Sequence, residues 1–396
     1  MSAKMKSRPM PGNYDFGLTA EQEAHAAKLH RESIVWDMLS QHAGGNLFAH
    51  YPAELLTDFE RVKKSAPDSD WLWNETLYWP FEMSRQQKSH LLHEWFGAAG
   101  LTCGTISDIR VHDASDKPMS DRENRILRYM KELPWMRHAT KAGDIRQAKR
   151  DGKIAMYANC QPYIPAPRNL KAFDSAYEKG LRSFMLTYNR MDYIGQGCTE
   201  RVDAGLSMFG VEVVEHLNAI GMMIDTSHCG QLTTLDACRH SKKPVNANHT
   251  AARSLHRHAR AKSNEALGAI AGTGGVIGVL ALPAFLTNDP HPTIEHMLDH
   301  IDYIASLVGW QHVAIGTDWP MQAPDDVLAA TLGTEIKMLG FRPQDSVDVM
   351  KRIAGFDDVR DLPNITRGLV KRGYSDEQIK GILGENALRV FEEVCG

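Results

Sequence analysis

The sequence predicts an α/β protein built on a (β/α)8 TIM barrel, and three observations carry that reading. Eight short apolar runs recur along the 396 residues, and helical stretches separate them, as in successive strand-helix units around a parallel sheet. The turn after the first run reads DMLSQHAGG, without the glycine-rich phosphate loop that would favour an open nucleotide-binding sheet. Eight is the number of parallel strands that closes such a barrel.

The runs lie at 34–39 (IVWDML), 101–107 (LTCGTIS), 153–159 (KIAMYAN), 182–188 (RSFMLTY), 222–227 (MMIDTS), 244–248 (PVNAN), 275–281 (GVIGVLA) and 312–317 (HVAIGT). Before them, MSAKMKSRPMPGNYDF is charged and lacks the apolar core of a secretory signal, so 1–19 reads as a tail and 20–396 as one barrel domain. Residues 45–98 are too long for a βα connection and predict an insertion over the active-site face. Its Trp71, Trp73, Tyr78, Trp79 and Phe81 suit a lid or substrate wall, and equally the packing of the insertion's own small core or a dimer contact. Among the crossover helices, 210–220 (GVEVVEHLNAI) places Val211, Val214 and Leu217 on one face, and 299–308 (DHIDYIASLV) repeats that spacing. Residues 341–396 read as a helical C-terminal cap with boundary signals at Ser375-Asp376 and Gly384. The uncharged stretch 267–288 could span a bilayer by length, but five glycines and Pro283 break it into a helix end and a short strand.

With 43% hydrophobic and 24% charged residues, the chain has the composition of an ordinary globular protein. Its formal charge of -4, from 45 basic and 49 acidic residues without long blocks of one sign, argues against nucleic acid and against an anionic membrane. Six cysteines without a Cys-x-x-Cys pair predict reduced thiols and a cytoplasmic setting. Cys160 and Cys229, near the expected pocket, read as inert buried thiols.

Active sites of such barrels are built at the C-terminal ends of the strands. That places Asp37 and Gln41 after the first run, Asn159 and Gln161 after the third, Tyr188 and Asn189 after the fourth, His228 after the fifth, His249 after the sixth and Asp318 after the eighth. His228 and His249, on adjacent strands, can point at one centre, and neutral imidazole is a common zinc ligand. A carboxylate such as Asp318 beside a metal-bound water can act as its base. The basic stretch 253–262 (RSLHRHARAK) can hold an anionic substrate group, or be a solvated loop or a subunit interface.

The segments LTYNRMDYIGQGC, GLSMFG, IDTSHCG with the following NHT turn, HARAKSNE, HVAIGTD and GENALRVF resemble the renal or membrane dipeptidase family of the amidohydrolase superfamily. The resemblance covers most of the chain from about residue 34 and implies a metal-dependent barrel hydrolase, most often a homodimer. By that likeness His228 and His249 match the histidine ligands of one metal, Asp318 the aspartate of the eighth strand, and Arg260 the arginine that meets the substrate carboxylate, a role suited to a planar bidentate donor. Three departures follow. The family's first-strand His-x-Asp pair falls on Leu39 and Gln41. The carboxylate that bridges two metals falls on Asn159 or Gln161, neutral amides that do not offset two cations. The histidine of the fourth strand is replaced by Tyr188, which can still donate to an oxyanion.

These residues predict one divalent ion per chain, zinc by preference, on His228, His249 and Asp318, with a water or Gln161 completing the shell. His42 is a further candidate ligand if the first-strand turn is reorganised. The expected activity is hydrolysis of an amide or peptide-like bond in a small carboxylate-bearing substrate. Asp318 is the expected base, Tyr188 supports the oxyanion, and Arg260, Gln161, Asn159 and Asn189 bind substrate. The altered ligand set also admits a lyase, decarboxylase or other non-peptidase reaction on an aromatic metabolite, or a non-catalytic binding protein.

Overall fold

The computed structural model describes residues 14–40, 46–107, 109–318, 324, 326–327, 330–331, 339–345, 347–348 and 351–396. Eight strands form one sheet: β1 (Cys103–Ile106), β2 (Met136–Ala139), β3 (Ile154–Cys160), β4 (Leu181–Met185), β5 (Met223–Asp225), β6 (Val245–Thr250), β7 (Ile277–Val279) and β8 (Val313–Ile315). Along the order β1-β3-β4-β5-β6-β7-β8 every pairing is parallel. The predicted first run does not form a full strand, yet it closes the ring. Trp36 bridges to Cys103 of β1 and Asp37 to Ile315 of β8, with Asp37 N–H on the Cys103 carbonyl (3.0 Å) and Met38 N–H on that of Ile315 (2.9 Å). The Trp36 N–H is taken by the Leu383 carbonyl from the C-terminal region, which limits the ladder to these contacts.

β2 is a strand that the run pattern does not predict. It pairs with the first half of β3, Met136 opposite Ile154 through Ala139 opposite Tyr157, and β4 takes over from Ala158, where the register shifts. Its sequence MRHA has only two buried positions, Met136 and Ala139, so no apolar run marks it.

The interior of the barrel is close-packed because two strands have no side chain where they meet β6. A Cβ on either Gly278 or Gly316 would overlap the Asn248 carbonyl oxygen, so glycine there lets the strands converge on the β6 segment that carries His249. At the opposite end the helix Asn386–Cys395 packs Phe391 edge-on to Trp36 (5.3 Å between ring centres) and beside Tyr157 (6.0 Å). Those rings lie among Cys103, Ala155, Met223 and Val276, near the strand starts. The C-terminal helix therefore seals the end away from the catalytic face. Full burial of a ring like Phe391 contributes about 1.5–3 kcal/mol.

Phe16, within the segment read as a tail, is buried in the main core, and Thr19 caps the helix Ala20–Glu32. In the insertion, helices Ala53–Ser65, Ser69–Arg85 and Leu91–Ala98 bury Trp73, Tyr78, Trp79 and Phe81. Phe59 stacks between Phe48 (4.5 Å) and Trp79 (5.2 Å), and Tyr78 and Phe81 meet Tyr129 of the helix Lys117–Glu132. Most of these aromatics thus serve internal packing, one of the three uses expected of them. The stretch 267–288 divides into the end of helix Asn264–Gly272, β7 and the short helix Pro283–Leu286. Among the described residues no helix is long and apolar enough to cross a membrane. No two of the six cysteines are disulfide-bonded.

Candidate active site

The centre of the catalytic face is a pair of histidines held by two clasps. β5 ends at Asp225, whose Oδ1 accepts from Ser227 N–H (2.9 Å), Ser227 Oγ (2.5 Å) and Asn248 N–H (2.9 Å). Ser227 Oγ in turn accepts from His249 N–H (3.0 Å), so one buried carboxylate ties the β5 turn to β6. The second clasp is Arg260, which is fully buried. Its Nη1 donates to the Ser227 carbonyl and its Nη2 to the His249 carbonyl (3.1 Å). Between these clasps His228 Nε2 and His249 Nε2 lie 3.0 Å apart.

Asn189 and Tyr188, following β4, fix the His228 ring. The Asn189 Oδ1 lies 2.7 Å from His228 Nδ1, while its Nδ2 donates to the Leu339 carbonyl (2.8 Å). The Tyr188 ring stacks on His228 at 4.0 Å and 18°. Burial, reinforced by the charges of Arg260 and Lys262, holds both imidazoles well below their ordinary pKa, so they are neutral. A neutral His228 that donates from Nδ1 to an amide oxygen presents a lone pair at Nε2. His249 Nδ1 is buried with no hydrogen-bond partner.

That arrangement suits one cation. Two imidazole nitrogens each about 2.0–2.1 Å from a zinc ion at a tetrahedral angle lie about 3.3 Å apart, close to the observed separation. The donor chemistry does not suit two. Leu39 is fully buried at the first-strand position, Asn159 is fully buried at the end of β3 with neither amide atom hydrogen-bonded, and among the described residues no three His, Cys, Asp or Glu side chains converge as a metal cluster. Gln41 and His42 lie outside the described residues.

Asp318 follows β8 in the left-handed region (φ 45°), a conformation aspartate tolerates better than most residues and one that recurs at functional sites. Its N–H donates to the Leu39 carbonyl (2.9 Å), and its charge raises the pKa of Tyr188 further, after burial, so that hydroxyl keeps its proton. Beneath it, Asp37 accepts from Thr317 N–H (2.8 Å) and Thr317 Oγ1 (2.5 Å), and burial pushes its pKa up to about 6.

Several predicted site residues sit differently from their expected roles. Both Nη atoms of Arg260 donate to carbonyls and the side chain is closed to solvent, so the guanidinium holds the two histidine turns together. Asn189 is fully buried and orients His228. Asn159 lies inside the barrel, and the carbonyl of the buried Gln161 accepts from Arg110. The sequence reading missed Asp225 and Ser227, although their place two and four positions along IDTSH, on the same face of an extended segment, signals an inward pair. It also missed Lys262, whose buried Nζ binds the Cys229 carbonyl (2.7 Å) and Thr234 Oγ1 (2.9 Å).

Comparison with known proteins places this geometry in context. The family model described as membrane dipeptidase (peptidase family M19) matches residues 85–332 and 339–395. Dipeptidase verJ of Clonostachys rogersoniana is 27% identical over 258 residues, 65% of this chain and 59% of that protein. The chain thus spans about six tenths of the length of that curated relative. An amidohydrolase from Pseudomonas aeruginosa superposes with a TM-score of 0.69 at 26% identity over 94% of this chain and 99% of its own. The probable dipeptidase PvdM from the same organism shares the fold, with a TM-score of 0.70 at 20% identity over 95% and 99%.

Proposed function

The chain belongs to the membrane dipeptidase family, and from that premise we propose that it hydrolyses an amide or peptide-like bond in a small carboxylate-bearing substrate, using one divalent cation, zinc by preference. The observation that carries this reading is the convergence of two buried, neutral imidazoles, Nε2 to Nε2 at 3.0 Å, on the catalytic face of the barrel. His228 and His249 would hold the ion as a pair, since among the described residues no third His, Cys, Asp or Glu converges on them, and Asp318 would act as the base beside it. The bound cation supplies polarisation of the scissile carbonyl and a lowered pKa for the attacking water.

The chain's own side chains supply the rest. Asp318 accepts the proton of the attacking water and returns it to the departing amine. Tyr188, protonated at neutral pH, donates to the oxygen on which charge develops. Asn189 keeps the His228 ring in one tautomer and orientation. Gln161 offers its amide group to the substrate from the turn after β3. The Cys-x-x-Cys-free thiols support a cytoplasmic setting, and the family likeness supports a homodimer.

Neutral residues at the second-ion positions, Leu39 and Asn159, favour a second reading, a non-peptidase reaction on an aromatic acid. A dipeptide panel assayed by amine release from zinc-loaded protein separates the two. Turnover of dipeptides is the expected result; turnover of aromatic acids alone would overturn the peptidase reading.

A further inference from the structure

The first run completes the ring without a strand ladder, since it meets β1 and β8 through one bridge each, at Trp36 and Asp37. Asp318 leaves β8 at that joint, and a residue that handles a proton needs a fixed place. Side chains supply the brace. Asp37 Oδ1 accepts from the N–H of Leu39 (3.1 Å) and of Thr317 (2.8 Å), and its Oδ2 from Thr317 Oγ1 (2.5 Å). The next peptide unit is held at both ends: the Thr317 carbonyl accepts from the Ala281 N–H (2.7 Å), and the Asp318 N–H donates to the Leu39 carbonyl (2.9 Å). Asp318 therefore starts from a fixed peptide plane and sits at φ 45°, a conformation that persists where the surroundings impose it. On its other side the first run is anchored by Thr105 Oγ1 on the Asp37 carbonyl (3.3 Å), Thr105 N–H on Ser40 Oγ (2.9 Å) and the Tyr157 hydroxyl on the Met38 carbonyl (2.5 Å).

The same design holds the histidine pair at the opposite point of the ring, since β5 lies four positions from the first run in a ring of eight. There Asp225 Oδ1 accepts from the N–H two residues on, Ser227, and from the N–H of Asn248, the residue before His249. Asp37 Oδ1 accepts from the N–H two residues on, Leu39, and from the N–H of Thr317, the residue before Asp318. Each buried carboxylate thus ties one strand end to the residue that precedes a site residue on the neighbouring strand.

We propose that Asp37 and Thr317 form a latch that positions Asp318, so that one buried carboxylate places the base as the other places the histidine pair. Calling Asp318 the base rests on the hydrolase reading, but its placement by the latch is tested without turnover. Asp37 and Thr317 are positioning residues: both are buried, and both carboxylate oxygens of Asp37 accept within the latch, so neither residue meets substrate.

The test compares three zinc-loaded variants with the wild type, with thermal melting as the control for folding. Thr317→Val keeps the shape and removes the hydroxyl, Thr317→Ser keeps the hydroxyl, and Asp37→Leu removes the carboxylate; Thr317→Val carries the test if Asp37→Leu does not fold. Thr317→Val should lower kcat for a dipeptide about tenfold to a hundredfold, with KM changed by less than about twofold and the zinc content per chain kept. Thr317→Ser should restore kcat. Crystal structures of the wild type and of Thr317→Val give a readout independent of turnover: Asp318 should keep its left-handed conformation in the first and leave it in the second. Retained kcat in a folded Thr317→Val, an effect on KM alone, loss of zinc, or an Asp318 that keeps its place would overturn the latch. If the wild type hydrolyses no dipeptide and Asp318 still moves in Thr317→Val, the hydrolase reading fails and the latch stands.

Discussion

The two sides of the barrel mouth answer the same chemical demand in opposite ways. On the β5–β6 side, Asp225, Ser227, Asn248 and Arg260 form a buried polar lattice that delivers two imidazole nitrogens to one point. On the side of the first run and β3, Leu39 is a fully buried apolar residue and Asn159 is a buried neutral amide. The first side spends buried charge on positioning ligands; the second buries one carboxylate, Asp37, against Thr317 and is otherwise filled by neutral side chains.

The sharpest way to break the comparison is at the carboxylate that serves the histidine side. Asp318→Ala should lower kcat for a dipeptide about a thousandfold or more with little change in melting temperature, and steady-state kinetics with a thermal melt will show whether it does. Retained turnover would remove Asp318 from the chemistry.

Next in size is a charge introduced on the neutral side. Asn159→Glu places a carboxylate in a fully buried site, close to the buried acids of the barrel interior, and should cost about 3–5 kcal/mol in the absence of metal. Denaturant unfolding in the presence of a chelator reads this directly. A cost near zero would mean that the β3 end is not the neutral side described above.

A smaller effect is expected at the clasp. Asp225→Asn leaves a similar shape but gives up part of a network of three accepted hydrogen bonds, and should cost about 1–3 kcal/mol. It should also weaken zinc retention measured by competition with a chromogenic chelator, which a purely structural loss elsewhere in the barrel would not do.

The smallest effect is the pH dependence of stability. His30 and His300 are buried and His138 is half-buried, all outside the pair, and burial lowers their pKa below the ordinary imidazole value. The unfolded chain therefore binds more protons than the folded one below roughly pH 6.5. Their contribution is fully present above that pH and is lost as pH falls toward the folded-state values. Asp37, pushed up to about 6, acts in the opposite sense, since the folded state then holds the proton more tightly and stability falls as pH rises from the ordinary carboxylate range to about 6. Asp192 and Asp225, also raised by burial, act in the same sense as Asp37, so the histidines dominate only in part, and the melting temperature should drop by roughly 5 °C between pH 7.5 and 5.5, and should drop more steeply in Asp37→Asn. Calorimetry over that range checks both signs.

Much of the fold was legible because parallel strands buried on both faces leave apolar runs, and each of the eight runs lies at a strand or bridge of the ring. β2 was not, because MRHA is four residues long with two polar, half-buried positions between its buried ends. The approach of His228 to His249 was legible from their place at the ends of adjacent strands. The clasp made by Arg260 was not, since nothing in HARAKSNE marks an arginine folded back onto two carbonyls. Asn189 was singled out for the right location and the wrong partner, because the partner, His228, is 39 residues away and is set by the β4–β5 pairing.

The central claim is a single ion on the histidine pair, and metal content per chain tests it most directly. Elemental analysis of protein equilibrated with zinc and then dialysed should give about one ion per wild-type chain and none in the His228→Ala, His249→Ala double variant. Two ions per chain, or an ion retained by the double variant, would contradict the account.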